Sequence, residues 1–115
     1  MKQKPFTAPQ ERELRANFDH SQRTGDGGHF KPVVKFFCPW GAATWLISEL
    51  GPDGMMFGLC DLGHGMPELG YVHLSDLTGM RGPFGLTIER DLHFKASMSI
   101  TEYAEEARAS GHIAA

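Results

Sequence analysis

The chain has 115 residues, enough for one hydrophobic core and too few for two. Hydrophobic residues make up 41% of it, with 8 phenylalanines and 2 tryptophans. That excludes a disordered chain and supports a core without crosslinks. The formal charge is -3, from 11 basic and 14 acidic side chains, and the basic residues Lys31, Lys35, Arg81, Arg90 and Lys95 form no run. That balance argues against phosphate binding by the whole surface and leaves room for a local basic patch.

Residues 1–8 and 111–115 are expected to be tails around a single domain at 9–110. Met1 to Gln10 carries two lysines with no apolar stretch behind them, so it does not read as a signal peptide. No segment approaches the roughly 20 apolar residues needed to span a bilayer. The first predicted element is a helix from Pro9 to about Asp19. Proline suits the first helical position, Glu11 and Glu13 suit the helix dipole, and Leu14 and Phe18 give a narrow apolar stripe. His20 to Lys31 reads as a polar loop. Its Gly25-Asp26-Gly27-Gly28 stretch lacks the Gly-Lys-Ser/Thr and the helix of a phosphate loop, and is expected to be a flexible connection.

Three strand-like runs follow at Val33 to Cys38, Thr44 to Leu50 and Met56 to Leu62. Short turns, Pro39-Trp40-Gly41 and Gly51-Pro52-Asp53-Gly54, separate them. Parallel pairing needs crossovers of about a dozen residues or more, so these gaps dictate an antiparallel meander. Its register is not fixed by the sequence. A glycine-rich loop at Gly63 to Gly70 leads to a fourth strand at Tyr71 to Leu74. Ser75 is then expected to cap a short helical turn, and Thr87 to Phe94 to be extended. The strongest local signal is the last. Ser99 and Glu102 form a capping box, Ile100, Tyr103, Ala104 and Ala107 repeat at helical spacing, and Gly111 stops the pattern. A helix from Ile100 to about Ala109 follows. The expected fold is α+β: an antiparallel meander of about four to five strands with an N-terminal and a C-terminal helix packed on it.

Two stretches hold groups capable of chemistry. Cys60, Asp61, His64 and Glu68 place a thiol, carboxylates and an imidazole close together in sequence. They lack the paired spacings of a zinc site, and Cys60 and Asp61 point to opposite faces of a strand, so no metal is expected there. Asp61 reads better as an acceptor of backbone N–H groups from the loop after it. If Glu89 to Phe94 is extended, Glu89, Asp91 and His93 share one face, as an acid–base site or as the solvated face of an edge strand. The two cysteines, Cys38 and Cys60, lie in apolar runs, the pattern of reduced buried thiols, and the expected compartment is the cytoplasm. There is no nucleophile elbow and no dinucleotide fingerprint. Trp40 and Trp45 lack the interleaved basic residues of a single-strand binder. The candidate binding residues are Trp40, Trp45, Glu68, Tyr71 and Arg90, because Trp, Tyr and Arg anchor interfaces and Trp40 sits in a turn.

The runs Trp45-Leu46 … Glu49-Leu50, Phe57-Gly58-Leu59-Cys60-Asp61-Leu62-Gly63 … Gly65 … Pro67-Glu68-Leu69-Gly70-Tyr71-Val72 … Leu74 … Leu77, and Glu89-Arg90-Asp91 … Phe94 resemble a bacterial family of small domains of unknown function. Val33 to Phe37 and Leu14 … Asn17 extend the resemblance, which runs from about Leu14 to Tyr103. Gly25 to Gly28 looks like an expanded loop relative to that pattern. The resemblance implies an accessory protein coded on plasmids, integrative elements or phages, and carries over no catalytic residue or cofactor. The leading expectation is a protein-interaction module that binds a host or element-coded protein, with an inhibitor of a CRISPR-like defence nuclease as one form. A small enzyme using Asp61, His64 and Glu68, or Glu89, Asp91 and His93, is the alternative. A nucleic-acid accessory protein using Arg81, Arg90, Lys95 and the tryptophans ranks third.

Overall fold

Short antiparallel pairings and three capped helices build the domain in the computed structural model, which describes residues 1–27 and 29–115. Gly28, in the stretch expected to be a flexible connection, lies outside the described residues. Helix α1 spans Ala8–Thr24. Thr7 caps it, its hydroxyl accepting the Gln10 N–H at 3.2 Å while the Gln10 side chain accepts the Thr7 N–H at 2.8 Å. The helix does not stop near Asp19. His20 to Thr24 form its last turns, Ser21 is fastened to β2 (Thr44–Leu50), and Gly25 closes the helix at φ 72°. The apolar stripe ends at Phe18, so sequence periodicity alone stops short of this polar, cap-stabilised end.

The remaining strands are β1 (Val34–Phe37), β3 (Met55–Asp61), β4 (Glu68–His73) and β5 (Glu89–Arg90). They form one five-stranded antiparallel sheet in the order β4-β3-β2-β1-β5. The first four strands are the expected meander, and the fold is α+β. Strand β4 begins at Glu68, before the expected Tyr71, because Glu68, Leu69 and Gly70 pair with Cys60, Leu59 and Gly58. Helix α2 (Leu74–Gly79) is capped by His73, not Ser75, with the His73 Nδ1 accepting the Ser75 N–H at 3.1 Å. The expected strand from Thr87 to Phe94 contracts to Glu89–Arg90. Asp91 Oδ1 accepts the His93 N–H at 2.9 Å and turns the chain away from the sheet. Helix α3 spans Ile100–Ser110, with the Ser99–Glu102 capping box and the Gly111 stop in place.

The sheet has a hydrophobic core on each face. Val34, Phe36, Trp45, Ile47, Leu50 and Met56 pack on one face with Leu14 of α1, Leu77 of α2 and Ile88. Leu46 and Leu59 pack on the other with Ile100, Tyr103, Ala104 and Ala107 of α3, and with Ile113. Phe6 and Ile113, which flank residues 9–110, are both buried. Beyond Ile47, β1 no longer pairs with β2, and α1 occupies that place. Asn17 Nδ2 donates to the Ser48 carbonyl at 2.9 Å, and Arg15 Nη1 to the Gly51 carbonyl at 3.3 Å. The Asn17 side chain thus satisfies a strand carbonyl that the short β1 leaves open, and Arg15 reaches the turn after β2.

A β-bulge interrupts β2 at Ser48. Ile47 pairs with Gly58, but Glu49 pairs with Phe57 and Leu50 with Met56. Strict alternation from Trp45 and Ile47 would put Glu49 into the apolar core under α1. The extra residue re-aims Glu49 to the opposite face and gives its core position to Leu50. Gly58 sits at this irregularity, and a Cβ there would lie 2.0 Å from the Leu46 carbonyl oxygen.

Candidate functional site

Asp61 is a structural clamp. It is 3% exposed, its Oδ1 accepts the Gly63 N–H at 2.9 Å, and its Oδ2 accepts the Ile113 N–H at 3.0 Å. The first bond is the expected turn. The second ties the end of β3 to the segment after α3. His64 and Glu68 are exposed on the loop and the edge strand beyond it. Cys60 lies on the other face of β3, where burial pushes its thiol up to about 11. A thiol held that high is a poor nucleophile and a poor metal ligand.

Glu89, Asp91 and His93 do not share a strand face, because Asp91 lies in the turn after β5. The His93 backbone N–H is the main cause that holds the Asp91 carboxyl below its ordinary value, and Lys35, 3.5 Å away, adds to it. Arg90 is committed to the N-terminal segment. Its backbone N–H donates to Gln3 Oε1 at 2.8 Å and its guanidinium to the Lys4 carbonyl at 2.7 Å. Among the described residues no three His, Cys, Asp or Glu side chains are grouped to hold a metal ion.

The tryptophans serve the interior. Trp45 is 3% exposed in the core under α1. Trp40 is half-buried against the same core, and its ring lies so close over Gly82 that a Cβ there would be 2.3 Å away. Tyr71 is different: it is 72% exposed and stands on the edge strand β4.

Tyr71 marks a second cluster. Glu49, Phe57 and Tyr71 are paired in line across β2, β3 and β4, on the face that α3 covers farther along. The Phe57 and Tyr71 rings are tilted against each other with centroids 5.2 Å apart. Phe18 and Ser21 of α1 close the other side, leaving a cavity of about 220 Å³ and an adjoining one of about 300 Å³. Glu49 lines both and is only 6% exposed. Its Oε1 accepts the Ser21 hydroxyl at 2.6 Å, and its Oε2 lies against Gly27, where a Cβ would be 2.4 Å away. Burial pushes the Glu49 carboxyl up, and the Ser21 hydrogen bond opposes that only in part.

A family model for a protein of unknown function, DUF2958, matches residues 6–114. The chain belongs to the DUF2958 family. No curated protein and no solved structure matches it. The match to DUF2958 spans both helices that flank the sheet, the Asp61 clamp and the cavity beside Glu49.

Sequence reasoning placed Tyr71 among the binding residues but missed its neighbours Phe18, Glu49 and Phe57. One signal was available. Glu49 is the only charged residue between Thr44 and Leu50, inside an otherwise apolar strand pattern, and a lone charge there needs a partner or an opening.

Proposed function

We propose that this DUF2958 protein is a protein-interaction module that docks through the surface around Tyr71. The observation that carries this is the exposure of a large aromatic on an edge strand, with apolar side chains around it. Tyr71 is 72% exposed, Met66 72%, Leu62 59% and Met55 38%. Met66 and Leu62 border a groove of about 400 Å³ that reaches Tyr71 from one side, and Met55 borders the cavity on its other side. Aromatic anchors amid apolar surface are the usual centre of a protein interface. His64 and Glu68 line that groove with Cys60, but Asp61 is turned to the Gly63 and Ile113 N–H groups and Asp91 to the His93 N–H, which favours this reading over an enzyme.

The resemblance to accessory proteins of plasmids, integrative elements and phages supports a host or element-coded partner, met in the cytoplasm. A CRISPR-like defence nuclease is one such partner. The modest net charge of -3 favours docking by shape over mimicry of nucleic-acid phosphate. Among the described residues no helix is long and apolar enough to cross a membrane.

Affinity capture from bacterial lysate with the wild type and with Tyr71→Ala tests the proposal. The expected result is a stoichiometric protein partner that the variant fails to retain. Capture of no partner, or equal capture by both chains, overturns it. Retention of nucleic acid at low salt and its loss at high salt would favour the nucleic-acid reading instead.

A further inference from the structure

The cavity beside Glu49 combines three properties that together select a ligand. The first is a carboxylate withdrawn from solvent without a cation. Glu49 is 6% exposed, and among the described residues no Lys, Arg or His forms an ion pair with it. Among the described residues its one side-chain hydrogen bond comes from the neutral Ser21 hydroxyl. A buried carboxylate with a single neutral donor leaves acceptor capacity open, and a cation is the group that answers it best.

The second property is the wall. Phe18, Phe57 and Tyr71 line the cavity together with Glu49. Aromatic faces attract cations through the ring quadrupole, and more strongly where water is thinned out. They also accept the methylenes of an alkyl stem. The third property is size. Cavities of about 220 and 300 Å³ lie at or below the low end of sites for drug-sized ligands, roughly 300–1,000 Å³. They suit the end of a side chain better than a cofactor.

We propose that this cavity takes a primary ammonium on an alkyl stem, the side chain of a lysine presented by the protein partner, with Glu49 as counter-ion and Phe18, Phe57 and Tyr71 as walls. This rests on the interaction-module reading and names what the partner brings to it. Charge complementarity supports it: a net-acidic chain offers a recessed anion at the edge of its exposed apolar surface. The bulge at Ser48 is the device that makes the site, because it moves Glu49 out of the core under α1 and into line with Phe57 and Tyr71. Lysine fits better than arginine, since a compact ammonium on a flexible stem needs less width than a planar guanidinium.

The test uses n-butylammonium as the probe and 1-butanol as its neutral counterpart, followed by amide and aromatic NMR shifts of the full chain. Butylammonium is expected to shift Glu49, Phe57 and Tyr71 saturably, whereas butanol at the same concentrations does not. Glu49→Gln, which keeps the shape and the hydrogen bond, is expected to weaken binding about ten-fold or more. Tyr71→Ala removes an exposed wall without touching the core and is expected to weaken it as well. A short peptide carrying one lysine between apolar residues is expected to bind tighter than butylammonium. Absent shifts, equal shifts with butanol, or unchanged binding by Glu49→Gln overturn the site. Equal affinity for peptide and butylammonium overturns the protein-borne lysine. A captured partner that survives Glu49→Gln but not Tyr71→Ala leaves the interaction reading standing and removes the lysine site alone.

Discussion

Leu46, Leu59 and Leu69 form one row of side chains across β2, β3 and β4, and Glu49, Phe57 and Tyr71 form the next row on the same face. The first row is covered by Ile100, Tyr103, Ala104 and Ala107 of α3. The second row lies beyond that cover and meets Phe18 and Ser21 at the end of α1. On β3 and β4 the two rows are two residues apart, as alternation requires, but on β2 they are three apart, and the extra residue is the bulge. One row is thus spent on stability, while the other keeps a recessed carboxylate and an exposed aromatic. An exposed aromatic can sit beside a well-packed core when a local irregularity changes which side chains the sheet shows.

Truncating one residue from each row tells the two apart. Leu59→Ala, at a fully buried site, is expected to cost about 2–5 kcal/mol. Tyr71→Ala, at a site 72% exposed, is expected to change stability by no more than about 0.5 kcal/mol. Urea unfolding of both variants measures the difference, and similar losses would mean the second row is part of the core. Gly58→Ala attacks the bulge. A Cβ placed 2.0 Å from the Leu46 carbonyl oxygen must displace backbone, so a loss of about 3 kcal/mol is expected, with altered amide shifts at Ile47 to Glu49.

Asp61→Ala sharpens the account of the covered row, since it removes the acceptor for the Gly63 and Ile113 N–H groups. A loss of about 1–3 kcal/mol is expected, with faster hydrogen exchange at Ile113 while α3 stays formed. The smallest effect belongs to Glu49. Its folded-state pKa is raised above the ordinary 4.5, so the folded chain holds that proton more tightly than the unfolded chain. Stability from this group is therefore full below 4.5 and is lost as pH rises through the folded value. Glu49→Gln is expected to be slightly more stable than the wild type at pH 7, by less than about 1 kcal/mol, and level with it in acid. Melting temperatures of both chains from pH 4 to 7 check this. A variant less stable at pH 7 would mean the carboxylate already has a stabilising partner.

Much of the architecture was legible because its signals are local. The Ser99–Glu102 box, the Gly111 stop and the spacing of Ile100, Tyr103, Ala104 and Ala107 set α3 within a few residues of itself. The turns after Cys38 and Leu50 forced antiparallel pairing by their length alone. Asp61 was readable as an acceptor for its own loop. The α1 end was less legible, since Ser21 and Gly25 carry no apolar period. The strand expected from Thr87 to Phe94 stops early, because the Asp91 carboxylate takes the His93 N–H and turns the chain.

Capping, periodicity and loop length act over neighbouring residues, so the helices and the antiparallel sense of the meander could be read from the chain; the strand order, with β5 beside β1, came only with the structure. The Ser48 bulge, the pairing of Asp61 with Ile113 and the meeting of Glu49 with Phe18, Phe57 and Tyr71 arise from long-range packing. Those depend on two competing packings. Either Glu49 or Leu50 had to occupy the core position opposite Met56, and excluding a charge from an apolar interior outweighs one lost residue of strand pairing.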